Sequence, residues 1–190
     1  MNLVKGALLV ILLLPLQMVS AQEHDPLVVG VGFNVVDNSG SRFSGLLNAS
    51  ENWNISKLIM VSAEQRFRYD YGLKAIFALN RFNEGKVINS LNNTNNTNYY
   101  SMDLLFKNYT TNYFLNPRRS WFTGFIVAGA GGSYFNKNIN KTLNTGFGFN
   151  IKIEHELRLS FQTLGKFSID NATPGNANHL QHSVSLIKWL

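Results

Sequence analysis

The stretch TLNTGFGFNIKIEHELRLSFQTLGKF, residues 142–167, decides the fold. Taking every second residue from Leu143, Thr145, Phe147, Phe149, Ile151 and Ile153 make one face. Asn144, Gly146, Gly148, Asn150 and Lys152 make the other. Beyond Glu154 and His155 the alternation resumes, with Leu157, Leu159, Phe161 and Thr163 set against Arg158, Ser160 and Gln162. Side chains alternate across a strand, so strict period 2 means two faces in two different solvents. Two such runs joined by a two-residue connection read as a hairpin. Each run has about 10–12 residues, the length a tilted strand needs to cross a bilayer. The stretch predicts one hairpin of a transmembrane β-barrel.

The same alternation recurs along the chain. In 27–37, Val29, Val31, Phe33 and Val35 oppose Gly30, Gly32 and Asn34. Near 55–67 the pattern is blurred, with Ile59, Val61 and Ala63 toward lipid and Ser62 and Glu64 inside. Residues 71–82 put Leu73, Ala75, Phe77 and Leu79 outward and Gly72, Lys74 and Asn80 inward. Residues 99–109 put Tyr100, Met102, Leu104 and Phe106 outward and Ser101, Asp103 and Lys107 inward. The run 121–135 is apolar on both faces and rich in Gly, which leaves its phase open, and 179–190 supplies a last strand. The loops at 38–54, 83–98 and 168–178 are long; those at 68–70 and 136–141 are short.

These runs predict an all-β protein, an antiparallel up-and-down barrel of eight strands. An even number of strands sends both termini to one side, here the periplasm, with longer loops on the outside. Open sheet edges cannot be satisfied in lipid, so the last strand must pair with the first. Amphipathic aromatics are selected at the two membrane–water interfaces. By position along the strands, Tyr99, Tyr100, Tyr134, Phe135 and Phe167 are expected in an outer girdle. Tyr71, Tyr109, Trp121 and Trp189 are expected in an inner one.

Composition agrees with a wall in contact with lipid: 14 Phe, 7 Tyr and 3 Trp stand beside only 15% charged residues. The chain opens MNLVKGALLVILLLPLQMVSAQ. Lys5, an apolar run from Ala7 to Leu14 and the small residues Val19-Ser20-Ala21 read as a secretory signal peptide over 1–21, leaving a barrel over 22–190. There is no Cys, which excludes a lipidated terminus, a disulfide framework and a thiolate metal site. Removing Lys5 lowers the net charge from +6 to +5. The basic excess forms no clustered stripe, so no nucleic-acid partner is expected.

Eight strands enclose a lumen just wide enough for side chains to fill it. The inward charged set is Glu64, Lys74, Asp103, Lys107, Lys152 and Arg158. Unpaired charges there would cost several kcal/mol each. An internal network is expected, with Asp103 and Glu64 meeting Lys74, Arg158 and Lys152. Lys166 also lies inward, near the outer rim, where water can reach it. The inward glycines Gly30, Gly32, Gly146 and Gly148 are too few to open a channel, so a packed interior is preferred to a narrow pore. No cofactor or metal is expected: His179 and His182 are three apart on a strand and diverge. Catalysis finds no constellation either. His182 and Ser183 are adjacent, so they point to opposite faces and cannot act as base and nucleophile.

The stretches GVGFNVVDNSG (30–40), ENWNISKL (51–58), GAGGSYF (129–135), LNTGFGFNIKIEHELRLSFQTLGKFS (143–168) and the final HLQHSVSLIKWL resemble the N-terminal barrel domain of OmpA-family outer-membrane proteins. The resemblance implies an eight-stranded barrel in the outer membrane of a Gram-negative cell, in contact with outer-membrane lipid and with no catalytic residues. That family typically carries a C-terminal domain gripping peptidoglycan. Nothing of that kind follows Leu190, and peptidoglycan binding is not expected of this chain. The expected role is non-enzymatic: structural or surface-interacting, alone or with other outer-membrane proteins in a larger assembly. A porin-like solute pore and a lipid-modifying enzyme are the alternatives.

Overall fold

The computed structural model describes residues 26–37, 53–67, 70–85, 87–88, 91–92, 95–116, 119–135, 138–169 and 178–190. The expected signal peptide lies outside the described residues. So do most of the 38–54 loop, parts of the 83–98 loop and residues 170–177. Eight long strands follow in order. They are β1 (Leu27–Asp37), β2 (Ile59–Phe67), β3 (Tyr71–Phe82) and β4 (Thr97–Asn108). Then come β5 (Phe122–Phe135), β6 (Asn138–Lys152), β7 (Leu157–Ser168) and β8 (His179–Trp189). Each pairs antiparallel with the next. The ring closes where β1 meets β8, from Val28 opposite Trp189 to Asp37 opposite Leu180. Closure gives every barrel strand a neighbour on both sides, which a backbone in hydrocarbon requires. Leu27 and Leu190 meet at one rim, where the Leu190 N–H donates to the Leu27 carbonyl at 2.8 Å.

Several boundaries differ from the sequence reading, three of them with a visible local cause. β2 starts at Ile59 rather than near 55, because Lys57 takes a left-handed turn (φ 56°) that breaks the extended chain. Before that turn, the short strand Trp53–Asn54 pairs with Val36 and Asp37. β6 begins at Asn138, inside the stretch read as a loop at 136–141. Its Asn and Lys content suggests a loop, yet it carries no Gly or Pro to stop the ladder, and Tyr134 still pairs with Ile139. The β6–β7 connection spans residues 153–156, not two residues, since both the Ile153 and Glu154 N–H groups donate to the Leu157 carbonyl.

The faces divide as the alternation predicts. Val31 (60% exposed), Phe33 (66%), Met102 (69%) and Phe147 (66%) stand on the outside. Asn34 and Asn150 are fully buried within. Among the described strand residues, the outward-facing charges are Asp37, Arg81, Lys141 and Lys188, all in the end portions of their strands. A continuous apolar wall with charge only near its rims matches hydrocarbon between two polar layers. The phase of β5, open from sequence, is now defined: Thr123, Phe125, Val127, Ser133 and Phe135 point in, and Ile126, Ala128 and Tyr134 point out.

Candidate functional site

The lumen carries two polar layers, each built around a carboxylate. Nearer the rim that holds the termini, Glu64 of β2 meets Lys107 of β4 at 3.0 Å and accepts a hydrogen bond from the Tyr109 hydroxyl. Lys74 of β3 donates to Gln162 Oε1 of β7 at 3.1 Å. The Arg66 guanidinium lies 4.1 Å over the Tyr109 ring and 4.5 Å over Trp189, and the Arg158 guanidinium lies 4.1 Å over the same Trp189 ring. Arg158 also donates to Thr123 Oγ1 at 3.2 Å. Lys107 Nζ sits 3.8 Å over Phe125. Rings facing desolvated cations offer part of the stabilisation that water would supply.

Nearer the loop rim, Asp103 of β4 pairs with Lys166 of β7 at 2.8 Å, both side chains fully buried. Asn144 donates to the other oxygen of Asp103 at 2.8 Å. Lys166 reaches the Tyr99 hydroxyl at 3.4 Å, and Tyr99 shares a 2.8 Å hydrogen bond with His179 across the barrel. Above them, Asn80 Nδ2 donates to the Asn34 carbonyl at 3.1 Å. Charge-assisted bonds of this kind are the strong ones, and breaking one partner away is costly.

An apolar layer separates the two. Along β4, Leu105 falls between Asp103 and Lys107; along β7, Leu164 falls between Gln162 and Lys166; along β3, Ile76 and Ala78 fall between Lys74 and Asn80. With Met60 and Val127 these residues form one buried cluster.

Glycines make room for both carboxylates. A Cβ on Gly72 would lie 2.5 Å from Glu64 Oε1. One on Gly131 would overlap Asp103 Oδ1 and stand 2.7 Å from Asn144 Nδ2. Gly131→Ala is therefore expected to destabilise by about 1–3 kcal/mol, the usual range for overpacking. Urea titration of the refolded protein in detergent micelles would measure the loss. A neutral result would mean that Asp103 has space to move.

Several expected partners differ. Asp103 meets Lys166, not Lys74, Arg158 or Lys152. Glu64 takes Lys107 as its contact ion pair. Lys152 is only half-buried, and no ion pair of it occurs among the described residues. Lys166 is not solvated at the rim but fully buried, against Tyr99 of the apolar cluster Val36, Phe82, Tyr99 and Phe135. The aromatic girdles also divide. Tyr100, Tyr134, Phe167 and Trp121 are exposed and Tyr71 is half-buried on the outer face, whereas Tyr99, Tyr109 and Phe135 are buried in the lumen and Trp189 turns inward onto Arg66 and Arg158. Within the strands, parity overrides position along the strand; Trp121, one residue before β5, is exposed although Thr123 and Phe125 of the same phase point in.

A second polar group, missed from sequence, lies on the outer wall. His182 does point away from Ser183, but on the neighbouring strand it meets Thr163, whose Oγ1 is 3.0 Å from His182 Nδ1. Its Nε2 lies 3.7 Å from Asp37 Oδ2. The Trp53 ring packs on His182 with centroids 5.6 Å apart.

No family model and no curated protein matches the sequence. Solved structures do match. The outer membrane protein OprG from Pseudomonas aeruginosa aligns over 90% of this chain and 98% of its own, with TM-score 0.61 and 12% identity. Neisserial surface protein A aligns over 87% and 97%, with TM-score 0.58 and 10% identity. The N-terminal β-barrel domain of Pseudomonas aeruginosa OprF aligns over 86% and 97%, with TM-score 0.51 and 8% identity. The shared property is the fold, that of the small eight-stranded outer-membrane barrels.

Proposed function

We propose that this chain is an integral outer-membrane protein with a non-enzymatic role, structural or in surface interaction, and with both termini in the periplasm. The observation that carries this reading is the filled lumen. Ions crossing it would have to pass the layer of Leu105, Leu164, Ile76, Met60 and Val127 between the two charged layers. Desolvating an ion there is prohibitive. The charges inside then serve to fix the register of the strands, since each carboxylate joins strands far apart in sequence. The apolar wall supports contact with membrane lipid and with other outer-membrane proteins. The β1–β2, β3–β4 and β7–β8 connections, at the rim opposite the termini, are the surfaces offered to the outside.

Reconstitution of the refolded protein in planar bilayers tests this. No steady single-channel steps are expected. Steps that vanish on changing Asp103 or Arg158 would favour a narrow pore and overturn the structural reading.

A further inference from the structure

The lumen layer nearer the termini holds a surplus of positive charge. Lys74, Lys107, Arg66 and Arg158 are all buried there, and Glu64 is the one buried carboxylate among the described residues of the layer. Lys107 and the Tyr109 hydroxyl already occupy that carboxylate. Arg158 forms no ion pair among the described residues. Lys152, opposite Arg158 in the β6–β7 ladder, adds a half-buried cation beside it. Of the other acids at this rim, Asp70 is half-buried in the β2–β3 turn, and Glu154 and Glu156 are exposed. Buried charge without a counter-charge is costly, so a surplus of this kind calls for an anion.

A group of orphaned donors stands beside Arg158. Thr123 of β5, Asn150 of β6 and Ser160 of β7 form one inward cross-strand row, with Asn150 opposite each of the other two. All three are buried. Arg158 starts on β7 and reaches Thr123 on β5 through Nη1 at 3.2 Å, so its guanidinium passes in front of β6, where Asn150 stands. Its plane also carries the Trp189 ring. Arg158 Nε, Asn150 Nδ2, Ser160 Oγ and Trp189 Nε1 are buried with no hydrogen-bond partner among the described residues. Three of these atoms can only donate, and the hydroxyl can donate as well. Against them stands a single orphaned carbonyl of the row, Asn150 Oδ1. Buried polar atoms in native proteins are rarely left unbonded, so the cluster marks a place where donors expect an acceptor.

We propose that this cluster is an anion site that holds one chloride ion, bound by Arg158 Nε, the Asn150 amide, the Ser160 hydroxyl and the Trp189 indole N–H. Arg158 supplies one full positive charge and the other groups supply neutral donors, which together match one negative charge. The cost of dehydrating an ion rises with the square of its charge, so an enclosed site takes a halide in preference to phosphate or sulfate. The ion enters from the rim of the termini past Trp189, which is only half-buried. The apolar layer of Leu105, Leu164 and Ile76 stops it from going further. The site is a dead end and needs no conduction, and it stands whether or not the outer wall faces lipid.

The test follows thermal unfolding of the refolded chain in detergent micelles, in sodium chloride, sodium gluconate or sodium phosphate at equal ionic strength. In chloride the midpoint should rise and then saturate, by about 3–5 °C at roughly ten times the dissociation constant. Gluconate should leave it unmoved. Arg158→Met should abolish the chloride-dependent rise. Ser160→Ala keeps the charge and should raise the half-saturating chloride concentration about fivefold, the factor one net hydrogen bond supplies. Lys152→Met removes an equal charge from the rim and should leave the rise intact, which separates a site from general screening. Crystals grown in bromide should show an anomalous peak between Arg158, Asn150 and Ser160. Equal midpoints in chloride and gluconate would overturn the site. So would a rise that survives Arg158→Met, or a half-saturating concentration unmoved by Ser160→Ala. A larger rise in phosphate than in chloride would overturn the choice of a halide.

Discussion

Lys166→Met is expected to destabilise the barrel by about 3–5 kcal/mol, the range for stripping one partner from a buried ion pair. Methionine fills much of the space, so little of this loss comes from a cavity. Asp103 would be left with Asn144 as its remaining side-chain donor. The double variant Asp103→Asn, Lys166→Met should recover most of the loss, because a neutral pair of similar shape carries no desolvated charge. Lys107→Met should cost less, since Glu64 keeps the Tyr109 hydroxyl and stands opposite Lys74 in the β2–β3 ladder. Urea unfolding in micelles, followed by tryptophan fluorescence, measures all three. A shifted midpoint with unchanged slope would show that stability moved and compactness did not. A Lys166→Met variant as stable as the parent would mean that Lys166 is solvated and that the loop-side layer does not hold the barrel together.

The outer face was legible from sequence because period 2 reports directly which side chains share a medium. Tyr99 and Tyr109 show where that signal outweighs position along the strand. They stand in phase with Ser101, Asp103 and Lys107, which the alternation already sends inward, so the same parity sends both rings into the lumen. Pairing inside was not legible. Alternation gives the face of a residue but not its height relative to a strand on the far side of the barrel. Asp103 and Lys166 lie on β4 and β7, and their meeting is set by the stagger of the strands between them. The group on the outer wall was hidden for a related reason. His182 and Ser183 diverge within one strand, but Thr163 comes from the neighbour, opposite His182 in the ladder.

Met102→Arg is expected to cost about 2–4 kcal/mol in phospholipid vesicles, the depth-dependent cost of a cation at the bilayer midplane. Met102 sits midway along β4, 69% exposed on the outer wall. Nothing in the packed lumen changes with it, so a loss can come only from the medium outside. Ile139→Arg supplies the comparison. Ile139 is 67% exposed on the same wall, second in β6 at the loop rim and two residues from the natural outward cation Lys141. There the cost should fall to about 0–1 kcal/mol, because the guanidinium can reach the interface. The difference between the two variants, and not either value alone, identifies the solvent. A wall in water would make both substitutions nearly neutral, within about 0.5 kcal/mol, as exposed surface changes usually are. A gap of a few kcal/mol between two equally exposed positions requires an outside that grows apolar with distance from the rim, and only a bilayer has that profile.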